Sequence, residues 1–278
     1  MALVINTNAL ALTAQRNLGL VENKMHKTIE RMATGRRIVN ASDDPAGLAI
    51  SDGMNSTVRS LGQAMRNAQD AVSLIQVFEG GTHEINNMLV RLRELAMQSA
   101  NDTVGERERS MLDNEVQELK GEITRIARTT QYLDRELLAG EEIKLEFQVG
   151  VDNEPDRDRI VFNPGNSDLR TPSLGLGDMS VAVKGDAQES LSKIDDAIDR
   201  INEIRARIGS SQNRLQTTIN SQGIYQENLM NAMSRIKDAD MAHETTELTK
   251  ESILRQAGVS VLMQANQTPQ LALKLLGN

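Results

Sequence analysis

The sequence has no cysteine and no tryptophan, and aromatic residues make up only 2% of its 278 residues. Without cysteine, the chain can form neither disulfides nor thiolate metal sites. With so few rings, its core must be aliphatic, and a large ring-lined pocket is not expected. Proline is also scarce, with five residues in total, which leaves long stretches free to form helices.

The signatures of enzymes and of nucleic-acid-binding proteins are also missing. The formal net charge is −8, whereas binding to phosphates needs clustered Lys and Arg. No phosphate loop, metal-ligand spacing or nucleophile motif occurs, and the histidines His26, His83 and His243 stand apart from one another. The sequence therefore predicts a non-enzymatic protein without a cofactor. No uninterrupted apolar run suits a membrane span, and the start lacks a basic signal region, so these rules alone favour the cytoplasm.

Apolar residues at helical spacing are abundant near both ends of the chain. Steps of three and four predict a helix over residues 8–32 and a final helix over 240–267, with Pro269 interrupting the pattern before a last apolar run. The side chains expected to pack in these terminal regions are Leu18, Val21, Met25, Ile29, Met32, Leu248, Ile253, Val259, Leu262, Leu271 and Leu275.

A break in the pattern separates the first helix from the next. It runs from Gly35 through Asn40 and Asp43 to Asp44 and Pro45. Asp44 suits the N-cap of a second helix, with Pro45 at its first position, where a missing N–H does no harm. The paired acids could also suggest a metal site, but no other ligand type clusters nearby, so capping is the preferred interpretation.

The middle of the chain predicts two heptad-patterned helices joined by a short turn. A helix over about 45–100 has a coiled-coil spacing in its later half, and Thr103 with Glu106 forms a candidate capping box for the next helix. Alternation from Ile143 to Val151, then a turn and residues 160–162, predicts a β-hairpin. Residues 163–185 read as loop or short strand, and helix resumes near residue 187.

These elements predict a mainly α fold of long antiparallel helical hairpins or coiled coil with a small β-hairpin insertion. The N- and C-terminal halves must pair for their apolar stripes to be buried. We expect an inner terminal domain from residues 1–44 and 236–278. A helical-bundle domain is expected from 45–235, including the 141–185 insertion.

Two long strings carry a family resemblance. ATGRRIVNASDDPAGLAISDGM spans residues 33–54, and residues 234–278 begin SRIKDADMAHE and end QTPQLALKLLGN. Together they resemble bacterial flagellin, in a minimal form without large outer domains. The resemblance implies a structural subunit that polymerises into the helical filament used for swimming, secreted outside the cell without a cleaved signal. Residues 35–50 are similar to the bend between the filament's helical layers.

The resemblance extends to single residues and to partners. Arg91, Leu95 and Glu115 match positions recognised by the Toll-like flagellin receptor, although Val90 stands where a Gln is usual. Leu133 replaces a usual Asn. The implied partners are other copies of the chain, an export chaperone that binds from about residue 236 onward, the flagellar export apparatus, and the hook-associated and cap proteins.

The terminal helices also point to assembly. Two lone helices cannot bury all of their large aliphatic side chains in each other, and soluble monomers rarely expose a large apolar surface. We therefore predict that the termini fold on contact with neighbouring copies. The alternatives are a hook–filament junction protein, which shares the terminal helices, and a coiled-coil adaptor, which predicts a stable dimer with ordered ends.

Overall fold

The computed structural model describes residues 8–140 and 144–276, with side chains placed as far as residue 267. These residues divide into two compact units. Unit 1 is formed by residues 1–58 and 227–278, and unit 2 by residues 59–226. The predicted mainly α fold with paired terminal helices is confirmed, because six helices and two small antiparallel hairpins account for the described secondary structure.

Unit 1 contains both chain ends. Helix α1 spans Ala9–Thr34, α2 begins at Pro45 and runs to Ser99, α5 spans Lys184–Lys237, and α6 spans Met241–Leu276. Asn8 caps α1 by accepting a hydrogen bond from the Ala11 N–H at 3.1 Å, and Asp240 caps α6 by accepting from Ala242 N–H at 2.9 Å. Side-chain acceptors of this kind satisfy N–H groups that a helix start leaves unpaired.

The expected interruption at Pro269 is wrong, because α6 continues to Leu276. Proline in a helix interior removes one hydrogen bond, since residue 269 has no N–H to donate to the carbonyl of Ala265. That carbonyl instead accepts from the Asn8 side-chain amide at 2.8 Å. A compensating partner from α1 therefore reduces the cost of the proline, and the sequence of α6 alone could not reveal it.

Unit 2 is a helical bundle with two hairpins. Helix α3 spans Glu106–Thr129 and is followed by a short hairpin of β1 (Gln131–Tyr132) and β2 (Arg135–Glu136). The predicted hairpin is formed by β3 (Leu145–Gln148) and β4 (Arg159–Phe162), with Leu145 opposite Phe162. The one-turn helix α4 (Pro155–Asp158) lies in its connection. Ile143 lies outside the described residues.

The proposed Thr103–Glu106 capping box is wrong. Helix α3 begins at Glu106 with Gly105 as its N-cap, and no side chain caps it. Thr103 instead belongs to the preceding turn, where its N–H donates to Asn101 Oδ1 at 3.3 Å. The turn is therefore longer than the pattern indicated.

The core of unit 2 joins faces of α2, α3 and α5 with both hairpins and the loop that precedes α5. Phe78 and Phe162 meet edge-to-face at its centre, with ring centroids 5.7 Å apart. The rest is aliphatic, as the composition predicts. Fully buried members include Ile75, Ile85, Leu89, Leu92, Leu95, Ile123, Leu137, Leu138 and Leu169.

The loop over residues 163–183 is held by polar side chains from the helices. Lys120 Nζ donates to the carbonyls of Gly177 and Met179 at 2.9 and 2.8 Å. The Arg200 guanidinium donates to the carbonyl of Ser173 at 2.6 Å and to that of Asp168 at 3.2 Å. The segment predicted as loop or short strand is therefore an ordered loop.

Candidate functional site

Helices α1 and α6 of unit 1 pack against each other in antiparallel orientation. Asn8, at the start of α1, bonds to Ala265 near the end of α6. Leu18 lies beside Gly258, where an added Cβ would approach Leu18 Cδ1 to 3.3 Å. Arg31, near the end of α1, lies 3.9 Å from Glu244 at the start of α6. These three contacts define one continuous interface along both terminal helices.

The α1 side of this interface has a heptad spacing. Ala14 and Thr28 are its buried residues, and the predicted packing residues Leu18, Val21, Met25 and Met32 are half-buried. Ile29 is 45% exposed, because the heptad places its neighbour Thr28 in the interface instead. Hydrophobicity alone favoured isoleucine over threonine, whereas the spacing of the stripe identifies the buried position.

The α6 side is less apolar. Leu248 and Leu262 are half-buried, whereas Ile253 is 60% and Val259 is 42% exposed. The side chains of Leu271 and Leu275 lie outside the described residues. Among the described residues, helix α6 therefore keeps part of its apolar stripe on an exposed face.

The residues of the predicted bend lie in the break between α1 and α2. Gly35 ends α1 in the left-handed conformation, at φ 67°, which favours glycine. Asp44 Oδ1 accepts from the Gly47 N–H at 2.9 Å, which confirms its capping role at the start of α2 before Pro45. The carboxylate of Asp43 accepts from the backbone N–H groups of Val39 and Asn40.

Charged side chains also stabilise the bend. The hydrogen bond from the Asn40 N–H is the main cause of a lowered pKa at Asp43, with smaller contributions from Val39 and Lys27. The Asn40 side chain donates to Glu30 of α1 at 3.3 Å. The bend residues therefore bond to each other and to the helix before them.

A second break, between α5 and α6, lies against this bend. Arg36 and Asp238 form an isolated antiparallel bridge, and the Arg37 N–H donates to the Lys237 carbonyl at 2.7 Å. The Arg37 guanidinium also donates to the Ile236 carbonyl at 2.6 Å, which satisfies a free acceptor at the end of α5. Sequence reasoning missed this role of Arg37, because its partners lie about 200 residues away in the chain.

The predicted receptor-recognition residues lie in unit 2. The Arg91 guanidinium bonds to Glu115 Oε1 at 2.8 Å and to Glu94 Oε2 at 3.0 Å, and the Glu115 bond is the main cause of a raised pKa at Arg91. Leu95 is 1% exposed and belongs to the core. Arg91 and Glu115 therefore form an exposed pair, whereas Leu95 is not accessible at the surface.

Across residues 8–140 and 144–276, no group of three or more His, Cys, Asp or Glu is placed to hold a metal ion. None of the described helices has an apolar stretch long enough to cross a membrane.

Comparison with known proteins gives matches along both halves of the chain. The bacterial flagellin N-terminal helical region matches residues 5–142, and the bacterial flagellin C-terminal helical region matches residues 191–276. A flagellin of Halalkalibacterium halodurans is 40% identical over 99% of this chain and 100% of its own length. The flagellar filament 33 kDa core protein of Treponema phagedenis is 37% identical, with the same coverage.

A solved structure agrees with these sequence matches. The crystal structure of Bacillus cereus flagellin is 31% identical to this chain and has a TM-score of 0.50, with 56% of this chain and 88% of that chain covered. The two family regions together span most of the sequence and follow each other in the expected order. The chain therefore belongs to the bacterial flagellin family.

Proposed function

We propose that this chain polymerises into a helical filament through the open faces of its paired terminal helices. As a flagellin, it is a structural subunit of the flagellar filament, which lies outside the cell, and not an enzyme. The observation that carries the proposed contact surface is the exposure of large apolar side chains along α1 and α6. Among the described side chains of these helices, those more than half exposed are Leu10, Leu12, Leu20, Ile253, Val261 and Met263.

Burial of these side chains is the physical reason for assembly. Each fully buried aliphatic side chain stabilises a contact by about 1.5–3 kcal/mol. A head-to-tail contact between two different patches produces a helical fibre when its rotation does not close into a ring. The narrow interface between α1 and α6 leaves much apolar surface open, which supports the further proposal that the terminal helices become fully ordered only within the polymer.

Seeded growth tests this function. Purified chain is mixed with short filament fragments and viewed by electron microscopy, beside a variant that lacks residues 236–278. We expect long filaments from the intact chain and none from the shortened one. Discrete rings from the intact chain would instead favour the hook–filament junction role, and a stable dimer would favour a coiled-coil adaptor.

A point substitution locates the contact. Ile253→Ser should raise the concentration needed for polymer growth, because a side chain that is 60% exposed in the single chain would be buried between copies. Gln256→Ser, at an exposed polar position of the same helix, is the control and should polymerise normally. If the two variants polymerised equally well, the surface of α6 around Ile253 would not be part of the contact between copies.

An export chaperone is proposed to cover the same region before assembly. The support is that the apolar residues of α6 are open in the single chain and would otherwise associate prematurely. Hydrogen exchange of the chain mixed with the chaperone of the same bacterium tests this. Protection should appear over residues 241–267, and protection confined to α2 or α3 would contradict it.

Recognition by the Toll-like flagellin receptor is proposed for Arg91 and Glu115, since both are exposed and bonded to each other. Arg91→Ala should weaken binding to the purified receptor ectodomain, and Val90→Gln should strengthen it. Arg125→Ala is a matched control, because Arg125 is also exposed and paired with a glutamate of its own helix. Unchanged binding by Arg91→Ala would contradict the proposal.

A further inference from the structure

The interface between α1 and α6 contains carboxylates where a coiled-coil seam would normally hold apolar side chains. Glu244 is 5% exposed and Glu251 is 6% exposed. They stand one heptad apart on α6, so they lie on the same side of the helix. Buried carboxylates weaken an interface unless a positive charge faces them.

Basic residues of α1 supply that charge. Arg31 faces Glu244, with 3.9 Å between its guanidinium and the carboxylate. In an antiparallel pair, the position one heptad after Glu244 faces the position one heptad before Arg31, which is Lys24. Lys24 and Glu251 indeed line the same small cavity, together with Lys27 and Thr28.

One carboxylate oxygen of Glu251 lacks a hydrogen-bond partner in the described part of this cavity. Its Oε2 atom is buried and has no hydrogen-bond partner among the described residues. Lys24 and Lys27 are the flexible α1 bases that line this cavity beside it. The two acids therefore depend on one particular alignment of α1.

Sliding α1 by one heptad in either direction would break this match. If Glu244 faced Lys24, Glu251 would face Asn17, which is uncharged, while Arg16 would lie on the far side of the helix. If Glu251 faced Arg31, Glu244 would face Ile38, which lies beyond the end of α1 at Thr34. Each slip leaves one buried acid without a base, and a buried unpaired charge is strongly unfavourable.

We propose that Glu244 and Glu251 are specificity residues that fix the antiparallel register of α1 on α6. The apolar residues of the interface could be matched in other alignments, because Ala14, Leu18, Val21 and Met25 repeat with the heptad. Charge selects among these alignments, as polar seam positions do in coiled coils. The inference rests on the proposed filament function, because the register decides which apolar side chains other copies meet. With Leu18 beside Gly258, counting along the antiparallel helices places Leu12 near Met263 and Leu20 near Leu254.

Cysteine cross-linking measures the register directly, since the natural chain contains no cysteine. Leu18→Cys with Gly258→Cys reports the observed alignment. Ala11→Cys or Met25→Cys, each with Gly258→Cys, reports a slip of one heptad. All pairs are oxidised in the full-length chain, both as monomer and after seeded growth, with the acids intact and with Glu244→Gln and Glu251→Gln combined.

With both acids intact, the observed pair should dominate in the polymer, and it should be the main cross-link of those monomers in which α1 and α6 are paired. With both acids neutralised, cross-linking of the slipped pairs should rise about tenfold or more, because neither alignment then buries an unpaired charge. Glu22→Gln with Glu227→Gln removes the same charge from exposed positions and should leave the pattern unchanged. Exclusive cross-linking of the observed pair in the neutralised variant would overturn the inference.

A charge exchange covers the case in which the neutralised variant fails to fold. Glu244→Arg should reduce cross-linking of the observed pair, and adding Arg31→Glu should restore it. Lack of restoration would count against the proposal. Failure of the natural chain to polymerise would refute the filament function alone, because the register is also measured in the monomer.

Discussion

The side-chain amide of Asn8 donates to the carbonyl of Ala265 at 2.8 Å, and it does so where α6 cannot serve that carbonyl itself. Residue 269 is a proline, so the helical hydrogen bond to Ala265 is missing. The oxygen of the same amide accepts from the Ala11 N–H and caps α1. Asn8 therefore caps the start of α1 and supplies the hydrogen bond that α6 lacks at Ala265.

Asn8→Asp should destabilise the paired terminal helices by about 1 kcal/mol, because aspartate can cap α1 but has no donor for Ala265. In a chain that also carries Pro269→Ala, the penalty should shrink, since residue 269 then supplies an N–H. Thermal dissociation of the polymer measures both effects. Asn17→Asp, at an exposed position of α1, is the control. An equal penalty with and without proline would contradict this account.

Gly81→Ala should destabilise the chain by about 1–3 kcal/mol, because a Cβ would come within 2.7 Å of both Thr130 Oγ1 and Leu138 Cδ1. Gly80 is the matched control. A Cβ there meets nothing within 4 Å, so Gly80→Ala should stabilise by about 0.5–1 kcal/mol through helix propensity. Urea unfolding followed by circular dichroism separates the two. If both substitutions stabilised the chain, the side chains of Thr130 and Leu138 would have to move away from the new Cβ at no cost in stability, which would contradict the prediction.

Leu133 and Asp134 form the β1–β2 turn at φ 48° and 63°, a conformation that suits asparagine and glycine and strains a leucine. The Leu133 side chain is 86% exposed and contributes little packing in return. Leu133→Asn should therefore raise the free energy of unfolding by about 0.5–1 kcal/mol. Leu133→Ala, which removes the exposed side chain but keeps the strain, should change it less. If Leu133→Ala raised the free energy of unfolding by as much as Leu133→Asn, the gain would come from removing an exposed leucine side chain and not from relief of backbone strain.

The sequence predicted those elements that depend on local pattern. The long helices follow from heptad spacing, and the bend follows from Gly35, Asp44 and Pro45. It did not predict contacts made by partners distant in the chain. Lys120 reaches carbonyls of the 163–183 loop, and Arg37 reaches the end of α5. Local composition contains no trace of such pairings, which only the folded chain brings together.

The titration of Asp43 provides a test of the bend. Its pKa is lowered from the ordinary value of 3.8, first by the Asn40 N–H bond, so the folded state favours the charged carboxylate. The resulting stabilisation is present above the unfolded pKa and is lost as pH falls through the lower, folded pKa. At neutral pH, the natural chain should therefore have a higher free energy of unfolding than Asp43→Asn. This difference in free energy should disappear only below about pH 4. Unfolding at a series of pH values measures it, with Glu22→Gln on exposed α1 surface as control. A difference that stays constant down to the most acidic pH would show that Asp43 acts by shape rather than by charge.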